Sequence, residues 1–481
     1  MRHGFGCQGG VLPVPQTYCN PLPLPDYQRG LASRDKSGED PRWLHEERRD
    51  FREMADPCVI RWRGRWYLFP SCGLLWWTDD LVHWTHQEIE PRDPGYGPTV
   101  AEKDGLLYLT ANGDRMWRAA HPLGPWTLLG AIKDEHGRPT WWNDAMLFVD
   151  DDGAMYCYHG SGNDGIYVAR LRDDDPTRFA GPRVHCFGFD PDHVWERFGA
   201  HNQDPGRGYV EGAWMTKRGG RYYLQYSACG TEWKGYAVGC YIGESPTGPF
   251  RYQRRNPILL HRGGLVNGCG HHTVFPGPDG GLWCLYTTLV RIEYLYERRV
   301  AMDPVGFDEH GEMFIAGPTE TPQLAPGLNP DPARGNGAGL LPLSVDQPVR
   351  ASSHAPGHEP VYAVDDNIRT WWEAGDRVLP QWLEVDLDRE YEVCAARVMF
   401  ADRGLDYDAG VFPGPYRYRI EGARDGGAWE DLLDREENAV DLQIAYDSWE
   451  PRRVRRVRLT VVGVPRGMTA GVWEFTVFGR A

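Results

Sequence analysis

Three carboxylates in this chain stand in matching surroundings: Asp56 in ADPCVIRWRGRWYLF, Asp144 in NDAMLFVDDDGAMYCY and Glu211 in VEGAWMTKRGGRYYL. Each precedes or opens an apolar stretch that runs into a glycine turn, at Gly64, Gly153 and Gly220, with nearly constant spacing. A carboxyl group beside an apolar strand is costly to bury unless it is paired, neutralised or employed. At equivalent positions of a repeat, they would point three carboxylates at one place, where they could be employed in acid–base work. Singly, each reads equally well as a turn cap or a salt-bridge partner. As a constellation they read as a site.

The elements that must position them are strands. Helical periodicity is nearly absent, and short aromatic strands recur behind glycine turns near Gly64, Gly105, Gly153, Gly220 and Gly281. HPLGPW and SPTGPF look like one unit-closing turn used twice. Units repeating at roughly 40–70 residues predict an all-β, five-bladed β-propeller over 1–318, against the alternative of a large sandwich. Inner strands of such blades line a central channel, so acids at their heads converge. After Phe314 the chain turns Pro- and Gly-rich, giving a connector over 319–343 partly packed on the propeller. From Ser344 onward, WLEVDLDREYEVCAARVMFAD, RRVRRVRLTVVG and GVWEFTVFG alternate as strands of a β-sandwich over 344–481.

A net charge of −16 disfavours nucleic acid and anionic membranes as partners and suits a neutral substrate. Twenty Trp and 24 Tyr exceed what a core of this size needs, which fits a sheet-rich fold and stacking on sugars. The first residues lack the apolar run of a signal peptide, so a cytoplasmic location is expected. The 11 cysteines are scattered, without a CxxC pair, and read as free thiols rather than disulfides or zinc ligands.

The phrases DPCVI…WYLF, DAMLFVDDDG, EGAWMTKRGGRYYLQYS and GCGHHTVF, in this order, resemble glycoside hydrolase family 43, the five-bladed propeller enzymes. The resemblance covers most of residues 20–315. It implies an inverting hydrolase in which Asp56 is the base, Glu211 the acid, and Asp144 the residue that orients the acid and tunes its pKa. Inversion requires room for a water, with base and acid about 6.5–9.5 Å apart. The family's N-terminal phrase corresponds to NPLPLPDYQRG, which makes Asp26 the alternative base. Asp56 is preferred because its phrase runs directly into the first blade. The resemblance also implies that His271 faces the channel near a bound ion, often calcium. The alternative is a core histidine, and strand alternation turns His272 away. Trp76 and Trp77 are candidates for an aromatic wall against the sugar. Arg298 or Arg299 would bond a sugar hydroxyl or hold a catalytic carboxylate. Asp150 to Asp152 read as a hairpin turn.

In the C-terminal part, AVDDNIRTWWEA, QWLEVDL and GVWEFTVFG resemble the coagulation-factor 5/8 C-type, discoidin-like fold shared by family 32 carbohydrate-binding modules. This implies a jelly-roll sandwich with a calcium site held by Asp365, Thr370 and Glu474 plus backbone carbonyls. Asp366 stands where a glycine is usual. The combined expectation is an inverting exo-glycosidase, without organic cofactor, acting on small oligosaccharides bearing terminal α-L-arabinofuranosyl or β-D-xylosyl groups. An exo-β-D-galactofuranosidase is the enzymatic alternative. A glycan-binding lectin is the rival of another class, and three axial acids argue against it.

Overall fold

The computed structural model describes residues 15–26, 50–71, 73–89, 94–290 and 297–481. Five four-stranded antiparallel sheets follow one another along the chain, each built from consecutive strands. Their inner strands are Cys58–Trp62, Thr99–Lys103, Met146–Val149, Glu211–Arg218 and Asn267–Pro276, heading blades 1 to 5. This is the five-bladed propeller expected. Tight two-residue hairpins start blades 1, 2 and 4. Arg63–Gly64, Asp104–Gly105 and Gly219–Gly220 all have both φ angles positive. Such turns match the twist of the strands they join, which is why glycine recurs there.

A repeated hydrogen bond organises the hub. In every blade one residue near the head of the inner strand adopts a left-handed φ: Asp56 (52°), Gly97 (57°), Asp144 (48°), Gly212 (59°) and His271 (39°). Its N–H donates to a side chain of the preceding blade. Gly97 N donates to Ser71 Oγ at 2.9 Å, Asp144 N to Asn112 Oδ1 at 2.5 Å, and Gly212 N to Asp144 Oδ2 at 3.3 Å. His271 N donates to Ser227 Oγ at 2.8 Å, and Asp56 N closes the circle on Thr287 Oγ1 at 2.9 Å. Backbone held in this region costs energy and persists where surrounding contacts fix it.

Buried aromatics fill the spaces between blades; among the largest fully buried side chains are Trp66, Trp76, Trp142, Trp283 and Tyr226. Blade 5 meets blade 1 through Val59, Trp66, Leu68, Phe275, Trp283 and Leu285, covered by Tyr18, Leu22 and Leu24 of the N-terminal segment. That segment bonds blade 5 through Leu22 N to Val300 O at 2.9 Å. Thr17–Tyr18 pairs with Gln323–Leu324, so the connector after blade 5 lies against the propeller.

The C-terminal part is an eight-stranded β unit. Its first strand, Leu341–Pro342, begins inside the stretch expected to be linker. Two long strands, Gln381–Phe400 and Ile444–Gly463, pair with breaks of register at Asp386/Tyr391 and Val393/Ala395. Such breaks let one strand serve both layers of a sandwich. Leu383, Val385, Val398, Leu459 and Phe475 lie in its core. Every cysteine among the described residues is free, and all but Cys186 are buried. Among the described residues, no helix is long and apolar enough to cross a membrane.

Trp76 belongs to the blade 1 core: it is fully buried, and its indole N–H donates to Pro25 O at 2.8 Å. Trp76→Ala is expected to lower unfolding stability by about 3–5 kcal/mol, measured by urea denaturation, with KM unchanged in the folded protein.

Candidate active site

The hub ring delivers side chains as well as backbone. Asp56, Asp144 and His271 occupy its positions in blades 1, 3 and 5, and glycines occupy the other two. The glycines keep the mouth open. A Cβ on Gly97 would come within 3.0 Å of Asp144 Oδ1 and 3.4 Å of His271 Cε1. Glu211 is not at the ring position of its blade, as its sequence spacing suggested; Gly212 is. A bulge between Glu211 and Trp214 places the glutamate one residue earlier, against the ring from another direction.

The three acids are buried, with 5%, 7% and 8% exposure for Asp56, Asp144 and Glu211. His271 Nδ1 lies 3.3 Å from Asp56 Oδ1 and 3.7 Å from Asp144 Oδ2, so those carboxylates are no farther apart than the two contacts combined. Glu211 joins them through its neighbour, since Gly212 N bonds Asp144 Oδ2. The site residues expected at 56, 144 and 211 therefore do meet at the propeller axis.

The partners of Asp56 and Glu211 differ, and their carboxyl groups are shifted in opposite directions. Burial pushes the Asp56 carboxyl up, but the Arg298 guanidinium, His271 and the Ser71 hydroxyl outweigh it and hold the group below the usual carboxylate range. Ser71 Oγ donates to Asp56 Oδ2 at 2.6 Å, and Arg298 Nη1 to Asp56 Oδ1 at 3.3 Å. Among the described residues, Glu211 has no cation of this kind. Burial, then Asp144, then Asp56 and Glu232, drive its carboxyl well above the ordinary range, against a lowering hydrogen bond from Tyr236. Tyr236 Oη donates to Glu211 Oε1 at 2.8 Å. The two carboxyls are thus shifted in opposite directions, the arrangement that acid–base catalysis needs of a base and an acid.

The remaining expectations sort by strand geometry. Arg298 opens the third strand of blade 5 and faces the site; Arg299 faces the other way, bonding Gln443 and the carbonyl of Arg52. Trp76 is core. Trp77 carries Arg65 stacked 3.9 Å over its ring. Full burial rules Trp76 out as a sugar-facing wall, and Trp77 is half-buried against the propeller core. Asp26 is exposed and its carboxylate accepts Asp441 N at 3.2 Å, away from the ring, which removes it as the base. His272 is buried, its ring nitrogens without hydrogen-bond partners. Asp150 takes its place in the turn and also accepts from Tyr222 of blade 4.

Sequence reasoning passed over Ser71, Asn112, Tyr236, Glu53 and Tyr96. Glu53 is fully buried and accepts from Arg298 Nη2 and Tyr96 Oη, both at 3.2 Å. Tyr96 stands in GYGPTV, immediately ahead of the second inner strand, a place as readable as those of the acids.

In the C-terminal domain, Asp365, Thr370 and Glu474 do gather. Thr370 Oγ1 donates to Asp365 Oδ2 at 2.8 Å, and Glu474 Oε2 accepts Asp366 N at 3.1 Å. Asp365 Oδ1 and Glu474 Oε1 are buried without a hydrogen-bond partner, a donor set suited to a hard cation. Asp366 takes φ 52°, the conformation that accounts for a glycine at this place in the lookalike fold. Among the described residues no cluster of three or more His, Cys, Asp or Glu side chains gathers to hold a metal, and His271 spends its Nδ1 on carboxylates.

A propeller hub with a cation-held acid facing a desolvated one is the architecture of a glycoside-cleaving fold. A family model for glycosyl hydrolases family 43 matches residues 51–313, more than half the chain, and the protein belongs to that family. A second model, for a NedA-like, galactose-binding domain, matches 362–459. The chain is 27% identical over 288 residues to an arabinoxylan arabinofuranohydrolase of Paenibacillus polymyxa, covering 47% of this chain and 43% of the relative. It is 30% identical over 172 residues to a β-D-galactofuranosidase of Aspergillus niger, covering 35% and 44%. The chain thus spans less than half the length of either relative. A thermostable family-43 glycoside hydrolase of known structure aligns over 65% of this chain and all of its own, at 23% identity and a TM-score of 0.50, and shares the fold.

The pH profile of kcat/KM is expected to be bell-shaped, its acidic limb below the usual carboxylate pKa of about 4 and its basic limb above it. Tyr236→Phe removes a bond that favours ionised Glu211, so the basic limb should move to higher pH while the acidic limb stays. A basic limb that does not move would separate Tyr236 from the acid.

Proposed function

We propose that the protein is an inverting exo-glycosidase that removes terminal α-L-arabinofuranosyl or β-D-xylosyl groups from small oligosaccharides. The observation that carries this reading is the opposite treatment of two buried carboxyls at one hub: Asp56 drawn down by Arg298, His271 and Ser71, and Glu211 driven up by burial and by Asp144. Asp56, ionised, takes a proton from water as that water attacks the anomeric carbon. Glu211, protonated, delivers its proton to the departing oxygen. Asp144 keeps that proton on Glu211 until the leaving group needs it, and fixes the backbone at Gly212. His271 and Arg298 neutralise Asp56 enough to keep it buried without protonating it. The arabinofuranohydrolase and β-xylosidase names among the relatives support the sugar class, and the galactofuranosidase supports a furanoside as the competing substrate.

A calcium ion at Asp365, Thr370 and Glu474 belongs to the same proposal as a structural element, supported by the two orphaned oxygens there. It takes no part in the hydrolytic step. Added calcium should raise the thermal unfolding midpoint of the protein and fail to do so in Glu474→Gln; an equal rise in both would remove the site.

A panel of aryl furanosides and pyranosides tests the activity. Glu211→Gln should cut turnover of substrates with poor leaving groups by about 10²–10⁴ and that of activated aryl glycosides far less. Asp56→Asn should abolish both, and NMR of the first-formed product should show the inverted anomer. Retention, or no hydrolysis of any member of the panel, would overturn the reading.

A further inference from the structure

The segment leading into blade 1 is gripped from two sides. Asp50 Oδ2 accepts Tyr407 N at 2.6 Å, and the carbonyl of Phe51 accepts Tyr407 Oη at 3.3 Å. Arg52, fully buried, donates to both oxygens of Asp402 at 2.7 and 3.1 Å and to Asp441 at 2.9 Å. Tyr407, Asp402 and Asp441 all belong to the C-terminal domain. The next charged residues face the other way: Glu53 holds Arg298, and Asp56 is the base itself.

A second line runs parallel through blade 5. Gln443 of the C-terminal domain accepts from Arg299, which donates to the carbonyl of Arg52 at 3.0 Å. Arg299 is the neighbour of Arg298 on the same strand, and adjacent strand residues face opposite ways. The two lines meet, because Gln443 Nε2 donates to Asp402 Oδ2 at 2.8 Å and Tyr416 Oη to Asp402 Oδ1 at 2.7 Å. Each half of the Asp56–Arg298 pair therefore has its backbone anchored, one residue or a few away, on the C-terminal domain.

We infer that the C-terminal domain is a working part of the hydrolytic centre, with Asp402, Arg52 and Gln443 as positioning residues that set Asp56 and Arg298 against each other. The alternative role for such a domain is a detachable sugar-binding module. A module of that kind has no need of fully buried arginines shared with the base's own segment. Charges buried this deeply are retained only with complete sets of partners, and here those partners come from both domains. The inference rests on Asp56 being the base.

The test uses full-length Asp402→Asn, Arg52→Lys and Gln443→Met, with Asp425→Asn as control, an exposed group paired 3.3 Å from Arg455 on the same domain. Each is assayed on the aryl glycoside that the wild type cleaves best, after the folded fraction is fixed by thermal unfolding. The groups facing Asp56 are Arg298, His271 and Ser71, with Glu53, Asp144 and Glu211 around them. When Arg298 is displaced, its lowering influence on Asp56 weakens, so the acidic limb of kcat/KM rises in pH. The expected result is a kcat reduced tenfold or more, in the range a displacement of about 1 Å produces, with KM within twofold and the acidic limb moved up. Gln443→Met, which alters no charge, should shift kcat and limb in the same direction and keeps the test open if the charge variants do not fold. Folded variants with wild-type kcat and limb would overturn the inference. So would a kcat that falls only with the folded fraction while the limb stays fixed. A wild type that cleaves no glycoside would instead fault the assignment of Asp56.

Discussion

One hydrogen bond, made five times, sets the terms for the rest of the molecule. Each blade turns a backbone N–H at the hub toward a side chain of the blade before it, and each does so from a left-handed backbone conformation. Such a position tolerates glycine freely and Asp or Asn better than bulkier residues. The hub can therefore be filled with glycine, which gives space, or with aspartate, which gives charge. Blades 2 and 4 take the first option and blades 1 and 3 the second. The geometry that closes the wheel thus also admits Asp56 and Asp144, while Glu211 enters beside a ring glycine.

Three buried carboxyls in one hole would repel each other if all were ionised. The structure answers by distributing its cations unevenly. Arg298 and the facing edge of His271 lie against Asp56, while among the described residues Glu211 has the Tyr236 hydroxyl as its side-chain donor. Asp144 sits between, facing His271 on one side and the Glu211–Gly212 backbone on the other. The asymmetry between acid and base is thus a property of neighbours, since the carboxyl groups themselves are chemically alike.

Much of this was legible in the chain. The glycine turns mark the blades because a two-residue hairpin demands positive φ, a local requirement written in local residues. Asp56, Asp144 and His271 were legible because they share a repeat position. What the chain concealed was register. Arg298 and Arg299 are equivalent candidates until the pairing with Leu289 and Thr288 fixes which one turns inward. The bulge that moves Glu211 off the ring position leaves no residue signature of its own. Trp76 and Trp77 were candidates for an aromatic wall, yet Trp76 is fully buried and Trp77 packs half-buried against the propeller core, a difference of burial that their shared dipeptide does not reveal. The grip of the sandwich on residues 50–52 was hidden for another reason. Arg52 meets Asp402 across 350 positions of chain, and no local pattern encodes that contact.

Every blade is made of consecutive strands, and among the described residues no shared strand bridges the junction between the fifth and the first. That junction is spanned by bonds such as Val59 N to Thr273 Oγ1 and Trp66 Nε1 to Pro276 O, and by the N-terminal segment laid across it. The sandwich touches both flanks of the same gap, blade 5 through Leu265, Leu289 and Val290, and the approach to blade 1 through Arg52. It works as a clasp. Opening the wheel at this junction would therefore also break the sandwich's hold on one or both of its flanks.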